Sequence, residues 1–216
     1  MRPFKNTLAN TSNMLSTQNI SLSYGKRVLF DEVSINFTKG NCYGIIGANG
    51  ARKSTFMKIL SGEIEPNKGN VSLSPNERLS MLKQNQHEYN DFTVLNTVLI
   101  GNKKMWDIQQ LKDALYMKAD FTEADGIKAG ELEAEFGEMG GYTAESDAAQ
   151  LLANLGIKDD AHYKLMGDLT GTQKVRVLLA QALFGNPDVL LLDEPTNDLD
   201  VETIRWLENF LADYEN

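Results

Sequence analysis

The chain has 216 residues, and 21 Lys and Arg against 30 Asp and Glu give it a formal net charge of −9. This length is sufficient to bury a full core, and the acidic balance argues against a protein built mainly to bind nucleic acid, which needs a basic footprint. The lack of a long apolar stretch or a signal-peptide core, together with a single cysteine, predicts a cytoplasmic protein without membrane insertion. His87 and His162 have no companions at metal-ligand spacing, so no zinc site is predicted.

The first third of the chain predicts mainly β-structure. Residues 1–13 are polar and rich in Asn and Thr, which predicts a disordered leader. Residues 15–37 alternate as antiparallel strands do, with a turn around Tyr24, and residues 69–73 and 79–82 predict two more strands. The apolar run 41–46 predicts a short buried strand that carries Cys42 as a small buried hydrophobe.

A glycine-rich turn follows this strand. Residues 47–55 read Gly-Ala-Asn-Gly-Ala-Arg-Lys-Ser-Thr and lead into a helical stretch, which is the layout of a phosphate-binding loop. In such a loop the backbone N–H groups point at phosphates, Lys53 reaches the terminal phosphates and Ser54 ligates Mg²⁺. The usual pattern G-x-x-x-x-G-K-[ST] has glycine where this chain has Arg52. A side chain there must fit or force the loop aside, although the charge of Arg52 offsets part of the loss.

Near the other end, residues 189–192 are four consecutive aliphatics, which predict a strand buried on both faces. The run stops at Asp193 and Glu194. Because an open α/β sheet binds ligands at the carboxyl ends of its strands, Asp193 is expected to hold Mg²⁺, directly or through water, and Glu194 to polarise an attacking water. The alternative is an acidic turn that caps the next helix.

A third segment, residues 169–173, reads Leu-Thr-Gly-Thr-Gln and precedes a helical run over 174–184. Small hydroxyl and glycine residues at a helix start offer N–H donors and the positive end of the dipole to an anion. An ordinary N-cap is the alternative interpretation.

Together, and in this order, the three segments resemble the ATP-binding cassette (ABC) family over roughly residues 15–216. Its signature is most often Leu-Ser-Gly-Gly-Gln, so a threonine replaces the second glycine here. The resemblance implies an α/β fold of the P-loop NTPase class over residues 14–216. It has a RecA-like parallel core, an antiparallel β subdomain and a helical subdomain, which carries an arm-like insert over about 93–168.

The resemblance also implies roles for individual residues. Tyr24 corresponds to the aromatic that stacks on adenine, Gln84 to the glutamine that senses Mg²⁺ and the γ-phosphate, and Asp200 to the acid that bridges two cassettes. The implied ATP contacts are Tyr24, Gly47, Asn49, Gly50, Ala51, Arg52, Lys53, Ser54, Thr55, Thr170, Gly171, Gln173 and Asp200. The implied catalytic residues are Glu194, Lys53 and Gln84, and the implied Mg²⁺ ligands are Ser54, Gln84 and Asp193.

The segment between Gln84 and Leu169 is longer than transport cassettes usually have. Residues 107–118 and 122–139 predict two helices with apolar positions at helical intervals. The side chains predicted to face inward are Tyr116, Phe121 and Leu132, and those predicted to face water are Glu131, Glu133 and Glu135. The pair resembles the arm of the ABC-F group, cassette proteins that act on the ribosome, which implies the ribosome or tRNA as a partner. The alternative is an enlarged helical subdomain of a transporter cassette.

After Asp200 the sequence predicts one helix over 202–211. The family continues into a strand with a switch histidine, and ABC-F proteins have a second cassette that faces the first. The chain is therefore expected to be a fragment, truncated before that strand, which hydrolyses ATP feebly or not at all alone. The alternative function is a non-hydrolysing, nucleotide-responsive module.

Overall fold

In the computed structural model, which describes residues 13–47 and 52–214, the chain divides after Leu79 into two units. The first unit comprises the described residues up to Leu79, and the second runs from Ser80 to Tyr214. No helix among the described residues is long and apolar enough to cross a membrane.

The first unit is built on a three-stranded antiparallel sheet in the order β2-β1-β3. Its strands are β1 (Asn13–Tyr24), β2 (Arg27–Thr38) and β3 (Lys68–Leu73). Tyr24 pairs with Arg27 across a tight turn, which confirms the predicted hairpin, and β3 confirms the strand predicted at 69–73. The predicted leader ends one residue too late because β1 begins at Asn13; residues 1–12 lie outside the described residues.

One helix, α1 (Arg52–Leu60), completes this unit. Phe56, Ile59 and Leu60 recur at helical spacing and are buried, so α1 has one apolar face. Phe56 packs against Phe30 of β2 with 5.4 Å between the ring centroids. The helix ends at Leu60, and Gly62, two residues later, has a φ of +78°, the left-handed conformation that follows many helix ends and that glycine adopts without strain. This packing fixes the start of α1, which carries Lys53 and Ser54.

The strand predicted at 41–46 is wrong. Residues 41–47 have no regular structure, Ile46 is 97% exposed, and Cys42 is exposed where burial was predicted. An apolar run becomes a strand only where a neighbouring strand satisfies its N–H and C=O groups. Within the described part of this unit, no strand pairs with residues 41–47.

The second unit begins within β4 (Leu79–Met81), which pairs with β5 (Val189–Leu191), and the Leu82 N–H donates to the Leu191 carbonyl at 3.0 Å. The strand predicted at 79–82 is therefore confirmed over three residues, and it lies outside the antiparallel sheet, because alternation predicts a strand but does not identify its partner. The strand predicted at 189–192 is confirmed over three residues. Within β5 only Leu191 is buried, and Val189 and Leu190 are half-buried, so the prediction of burial on both faces is too strong.

The rest of this unit is helical. Its helices are α2 (Val94–Leu99), α3 (Lys103–Tyr116), α4 (Glu123–Glu138), α5 (Ala144–Asn154), α6 (Gly171–Leu183) and α7 (Val201–Ala212). Helices α3, α4, α6 and α7 are the predicted ones, shifted by a few residues, whereas α2 and α5 lie in the predicted helical insert but were not predicted individually. Helix α6 is buried on nearly every side from Val177 onward, which is the pattern of a central core helix. Its N-terminus is thereby held by the core of the unit.

Helices α3 and α4 form the hairpin predicted as an insert. Leu132 is buried as predicted, but Tyr116 and Phe121 are 55% and 46% exposed, so their predicted inward orientation is wrong. Tyr116 is the last residue of α3, and Phe121 lies in the connection before α4. Their rings stack on each other with centroids 6.1 Å apart. Helical periodicity fails at such positions because it applies only inside the helix.

Ion pairs connect the two helices of this hairpin. Lys104 pairs with Glu135 at 2.6 Å, and Lys112, which is only 6% exposed, pairs with Glu133 at 2.8 Å. Hydrogen bonding from Lys112 lowers the pKa of the Glu133 carboxyl. Glu131 faces water as predicted, whereas Glu133 and Glu135 are half-buried because these lysines reach across to them.

A third pair, Lys118 with Asp125 at 2.6 Å, predicts acid sensitivity of the hairpin. Hydrogen bonds from Lys118 and from the Thr122 capping box lower the pKa of Asp125 to about 2. A group whose pKa is depressed by folding stabilises the fold above its unfolded pKa, and this stabilisation is lost as pH falls through the folded value. We expect thermal stability to fall between about pH 4 and 2. Asp125→Asn should reduce this dependence, whereas an Asp125 carboxyl that titrates near its unfolded value by NMR would contradict it.

Candidate functional site

The pairing of β4 with β5 brings two predicted Mg²⁺ ligands together. Gln84 lies two residues beyond Leu82 and Asp193 two residues beyond Leu191, and these leucines are joined by a backbone hydrogen bond. The Gln84 amide Nε2 donates to Asp193 Oδ2 at 2.7 Å. Asp193 is 6% exposed, so the amide satisfies a carboxylate that burial would otherwise destabilise.

Glu194, the next residue, is exposed and has a φ of +50°. A non-glycine residue in this region costs about 1–3 kcal/mol, and such strain persists where the surroundings impose it. Asn197 imposes it here, since its Nδ2 donates to Glu194 Oε2 at 2.7 Å and its N–H donates to the Glu194 carbonyl at 3.1 Å. The carboxylate is thus held at the surface beside Asp193. Asn197 was not among the predicted site residues, although its position three residues after the glutamate was a usable signal.

These residues line a cavity of about 200 Å³ that lies wholly within the second unit. Its walls come from the loop after β4, the first turns of α6 and the segment after β5. An amide oxygen and a carboxylate are hard ligands of the kind that Mg²⁺ accepts, and Mg²⁺ usually takes one or two carboxylates and completes its shell with water and phosphate. The residues present therefore fit the ion. No cluster of three or more His, Cys, Asp or Glu that could hold a metal occurs in the described part of the chain.

At the N-terminus of α6, the predicted signature residues form a capping box. Thr170 Oγ1 accepts from the Gln173 N–H at 3.4 Å, and Gln173 Oε1 accepts from the Thr170 N–H at 3.0 Å. The N–H groups of Gly171 and Thr172 occupy the first helical positions and have no intrahelical partner. The alternative interpretation, an ordinary N-cap, is therefore confirmed, and this cap leaves two N–H donors at the positive end of the helix dipole. Gln173 is engaged within its own helix rather than directed outward.

Asp200 is also engaged within its own chain. It caps α7 by accepting from the Thr203 N–H at 2.9 Å, and its other carboxylate oxygen pairs with Arg176 of α6. Arg176 also donates to the Leu155 carbonyl at 3.4 Å. This arginine, missed at the sequence level, holds the segment after Glu194 against α6. The role of Asp200 in bridging two cassettes stays a prediction.

In the first unit, the structure describes both ends of the predicted phosphate loop. Lys53 lies in the first turn of α1 and its Nζ donates to the Gly47 carbonyl at 2.9 Å, so the side chain connects the two described ends of the loop. Arg52 is exposed, Ser54 is half-buried and Thr55 is 7% exposed. Asn49, Gly50 and Ala51 lie outside the described residues.

Two further features accompany this loop. Tyr24 ends β1 with 58% of its surface exposed, so its ring is accessible for stacking. A cavity of about 710 Å³ opens beside Arg52 and Lys53 and is otherwise walled mainly by apolar side chains of β2 and by residues 43–47. The first unit thus presents a lysine, a helix N-terminus and an exposed aromatic.

Comparison with known proteins agrees with this arrangement. Residues 30–197 match the family model described as ABC transporter. The chain is 60% identical over 203 residues to the uncharacterized ABC transporter ATP-binding protein YkpA of Bacillus subtilis, an alignment that covers 94% of this chain and 38% of that protein. It is 34% identical to human ATP-binding cassette sub-family F member 3, with 94% of this chain and 28% of that protein covered. It is also 34% identical to the energy-dependent translational throttle protein EttA of Mycobacterium tuberculosis, over 89% and 34% of the two chains.

Among solved structures, a dimeric bacterial ABC transporter cassette aligns with a TM-score of 0.63 at 20% identity, over 94% of this chain and 85% of that one. At this identity the match shows the fold, and it confirms the predicted ABC cassette fold. The chain spans well under half the length of the curated relatives it matches.

Proposed function

Because the chain belongs to the ABC transporter family, whose members are ATP-binding cassettes, we propose that it binds and hydrolyses ATP as a cassette of an ABC-F protein that acts on the ribosome in the cytoplasm. The contact of Gln84 with Asp193, next to a surface-held Glu194, carries the proposal for ATP. The two-helix insert and the relatives named sub-family F member 3 and EttA support the assignment to ABC-F.

In this proposal the residues of the chain divide the work of phosphoryl transfer. Lys53 and the N–H groups at the start of α1 hold the terminal phosphates, with the loop residues Gly47, Asn49, Gly50 and Ala51 around them and Tyr24 on the adenine. Ser54, Gln84 and Asp193 hold Mg²⁺, which when bound neutralises charge on the phosphates. Glu194 accepts a proton from the attacking water, which must reach the γ-phosphate in line with the leaving oxygen.

Hydrolysis also needs donors for charge that develops on the γ-phosphate. The free N–H groups of Gly171 and Thr172 supply them to a nucleotide held by a second cassette, because catalysis of this kind depends on donors fixed in advance. A second cassette, in the same protein or in another copy, is therefore a required partner. One solved structure with this fold, the bacterial ABC transporter cassette named above, is dimeric, which is the assembly this proposal needs.

Arg52 is the residue that favours the second candidate, a nucleotide-responsive module without hydrolysis. It begins α1 where the phosphate-loop pattern has glycine, and its side chain lies beside Lys53 at the cavity. We expect Arg52→Gly, in a protein that pairs this cassette with a second one, to raise turnover by roughly ten- to a hundredfold, because misplacement of about 1 Å at a reacting centre costs that much. Turnover and ATP affinity should be measured together. Equal turnover of the Arg52 and Gly forms would contradict the role given to position 52.

The charges of the insert bear on the proposed binding to the ribosome. Residues 101–146 contain five lysines, and all five are in ion pairs: Lys103, Lys104, Lys112, Lys118 and Lys128. Because carboxylates already pair with these lysines, we expect the insert to bind a basic protein surface of the ribosome, with or without tRNA bound, better than it binds exposed RNA phosphates.

Co-sedimentation tests this part of the proposal. The unsubstituted protein, incubated with a slowly hydrolysed ATP analogue, should pellet with ribosomes. A smaller fraction of a variant that lacks the α3–α4 hairpin should be found in the pellet. Recovery with membrane subunits, and none with ribosomes, would instead identify a transporter cassette.

A further inference from the structure

The segment between Gln84 and α2, residues 85–92, runs alongside the loop that leads into α6. The Gly167 N–H donates to the Asn90 carbonyl at 3.0 Å, and the Met166 N–H donates to the Phe92 carbonyl at 2.8 Å. Near the start of α6, a Cβ added to Gly171 would lie 3.4 Å from Gln86 Oε1. Residues 85–92 thus begin next to Gln84, which contacts Asp193, and pass close to the two free N–H donors of α6.

Lys174 fastens this stretch to α6. It lies in the first turn and a half of the helix, is only 6% exposed, and its Nζ donates to Asn90 Oδ1 at 2.8 Å. Burial of an ammonium group is unfavourable, and well-packed apolar residues often replace buried charges without loss of stability. Packing alone therefore gives little reason for a lysine at this position.

The position of the contact matters as much as its burial. Gln181 ties α6 to α2 by donating to the Thr97 carbonyl at 2.9 Å, but it lies near the C-terminal end of α6. Lys174 acts at the other end, one turn from Gly171 and Thr172. Coupling between sites travels through packed groups and hydrogen bonds of this kind when both sites bias the same element.

We propose that Lys174 is a positioning residue that transmits movement of Gln84 through Asn90 to the N-terminus of α6, so that occupancy of the Mg²⁺-nucleotide site sets the orientation of the Gly171 and Thr172 N–H groups. The inference rests on the proposed function, because it needs a nucleotide that engages Gln84. A purely structural lysine would affect stability and leave the response to nucleotide unchanged.

Hydrogen exchange on the full 216-residue chain, with and without Mg²⁺-ATP, distinguishes these roles. In the unsubstituted chain we expect added nucleotide to change exchange in residues 85–92 and in residues 171–175. Lys174→Met should keep the first change and reduce the second by roughly fivefold or more, the usual lower range of coupling between sites. Asn90→Leu should act in the same way, and Asn90→Asp, which keeps the acceptor oxygen, should retain the response.

Lys112→Met is the matched control, since Lys112 is equally buried but lies in the insert away from this segment. It should leave both changes intact. Two results would overturn the role of Lys174. In the first, nucleotide changes hydrogen exchange at 171–175 as strongly in Lys174→Met and Asn90→Leu as in the unsubstituted chain. In the second, nucleotide changes exchange at 85–92 but not at 171–175 in the unsubstituted chain. Absence of any nucleotide effect in the unsubstituted chain would instead overturn the proposed ATP binding, and the coupling with it.

Discussion

Replacement of Glu194 by Gln is expected to lower ATP turnover by about 10²- to 10⁴-fold, the usual contribution of a general base, while ATP binding is kept. The substitution preserves size and hydrogen bonding, so Asn197 can still hold the side chain at the surface. The loss would therefore report proton acceptance rather than a collapsed turn. Phosphate release should be measured in a protein that pairs this cassette with a second one.

Glu202→Gln is the matched control for this substitution, because Glu202 is an exposed glutamate in the first turn of α7. Its turnover should equal that of the unsubstituted protein. A Glu194→Gln protein that hydrolyses ATP at the unsubstituted rate would exclude Glu194 as the base.

Lys53→Met is expected to weaken ATP binding by roughly ten- to a hundredfold, because a hydrogen bond to a charged group contributes about 1.5–3 kcal/mol. The lysine is positioned by its contact with the Gly47 carbonyl, and α1 keeps its apolar face when the side chain is changed. Titration calorimetry of ATP into the chain measures the effect.

Lys58→Met provides the comparison, since Lys58 lies in the last turn of the same helix. We expect the loss of one positive charge from α1 to weaken ATP binding only at the N-terminal end of the helix. Equal losses of affinity in the two variants would indicate a nonspecific charge effect and would argue against a phosphate contact by Lys53.

Local elements of this fold could be predicted from the sequence because their patterns are local. The alternation in residues 15–37, the helical run after residue 173 and the four aliphatics before Asp193 each define an element by its own periodicity. The choice of pairing partner is different. Residues 41–46 have the composition of a strand but no partner within their described unit, and residues 79–82 pair with β5 rather than with the antiparallel sheet.

The candidate site divides in the same way. The proximity of Gln84 and Asp193, 109 positions apart, came from family resemblance, and the structure places them in contact. Arg176 and Lys174 were missed as supporting residues because their partners, Asp200 and Asn90, lie far along the chain and no local pattern links them. Contacts of this kind depend on the tertiary arrangement of α6.

We propose, as the basis of the function given to this chain, that the phosphate loop at Lys53 and the acid at Asp193 bind the same Mg²⁺-bound nucleotide. The most direct test titrates ATP into the chain with and without Mg²⁺, for the unsubstituted form and for Asp193→Asn. We predict that Mg²⁺ strengthens ATP binding in the unsubstituted chain, and that Asp193→Asn abolishes this gain while binding ATP alone normally. A gain from Mg²⁺ that is the same in both forms would contradict the claim.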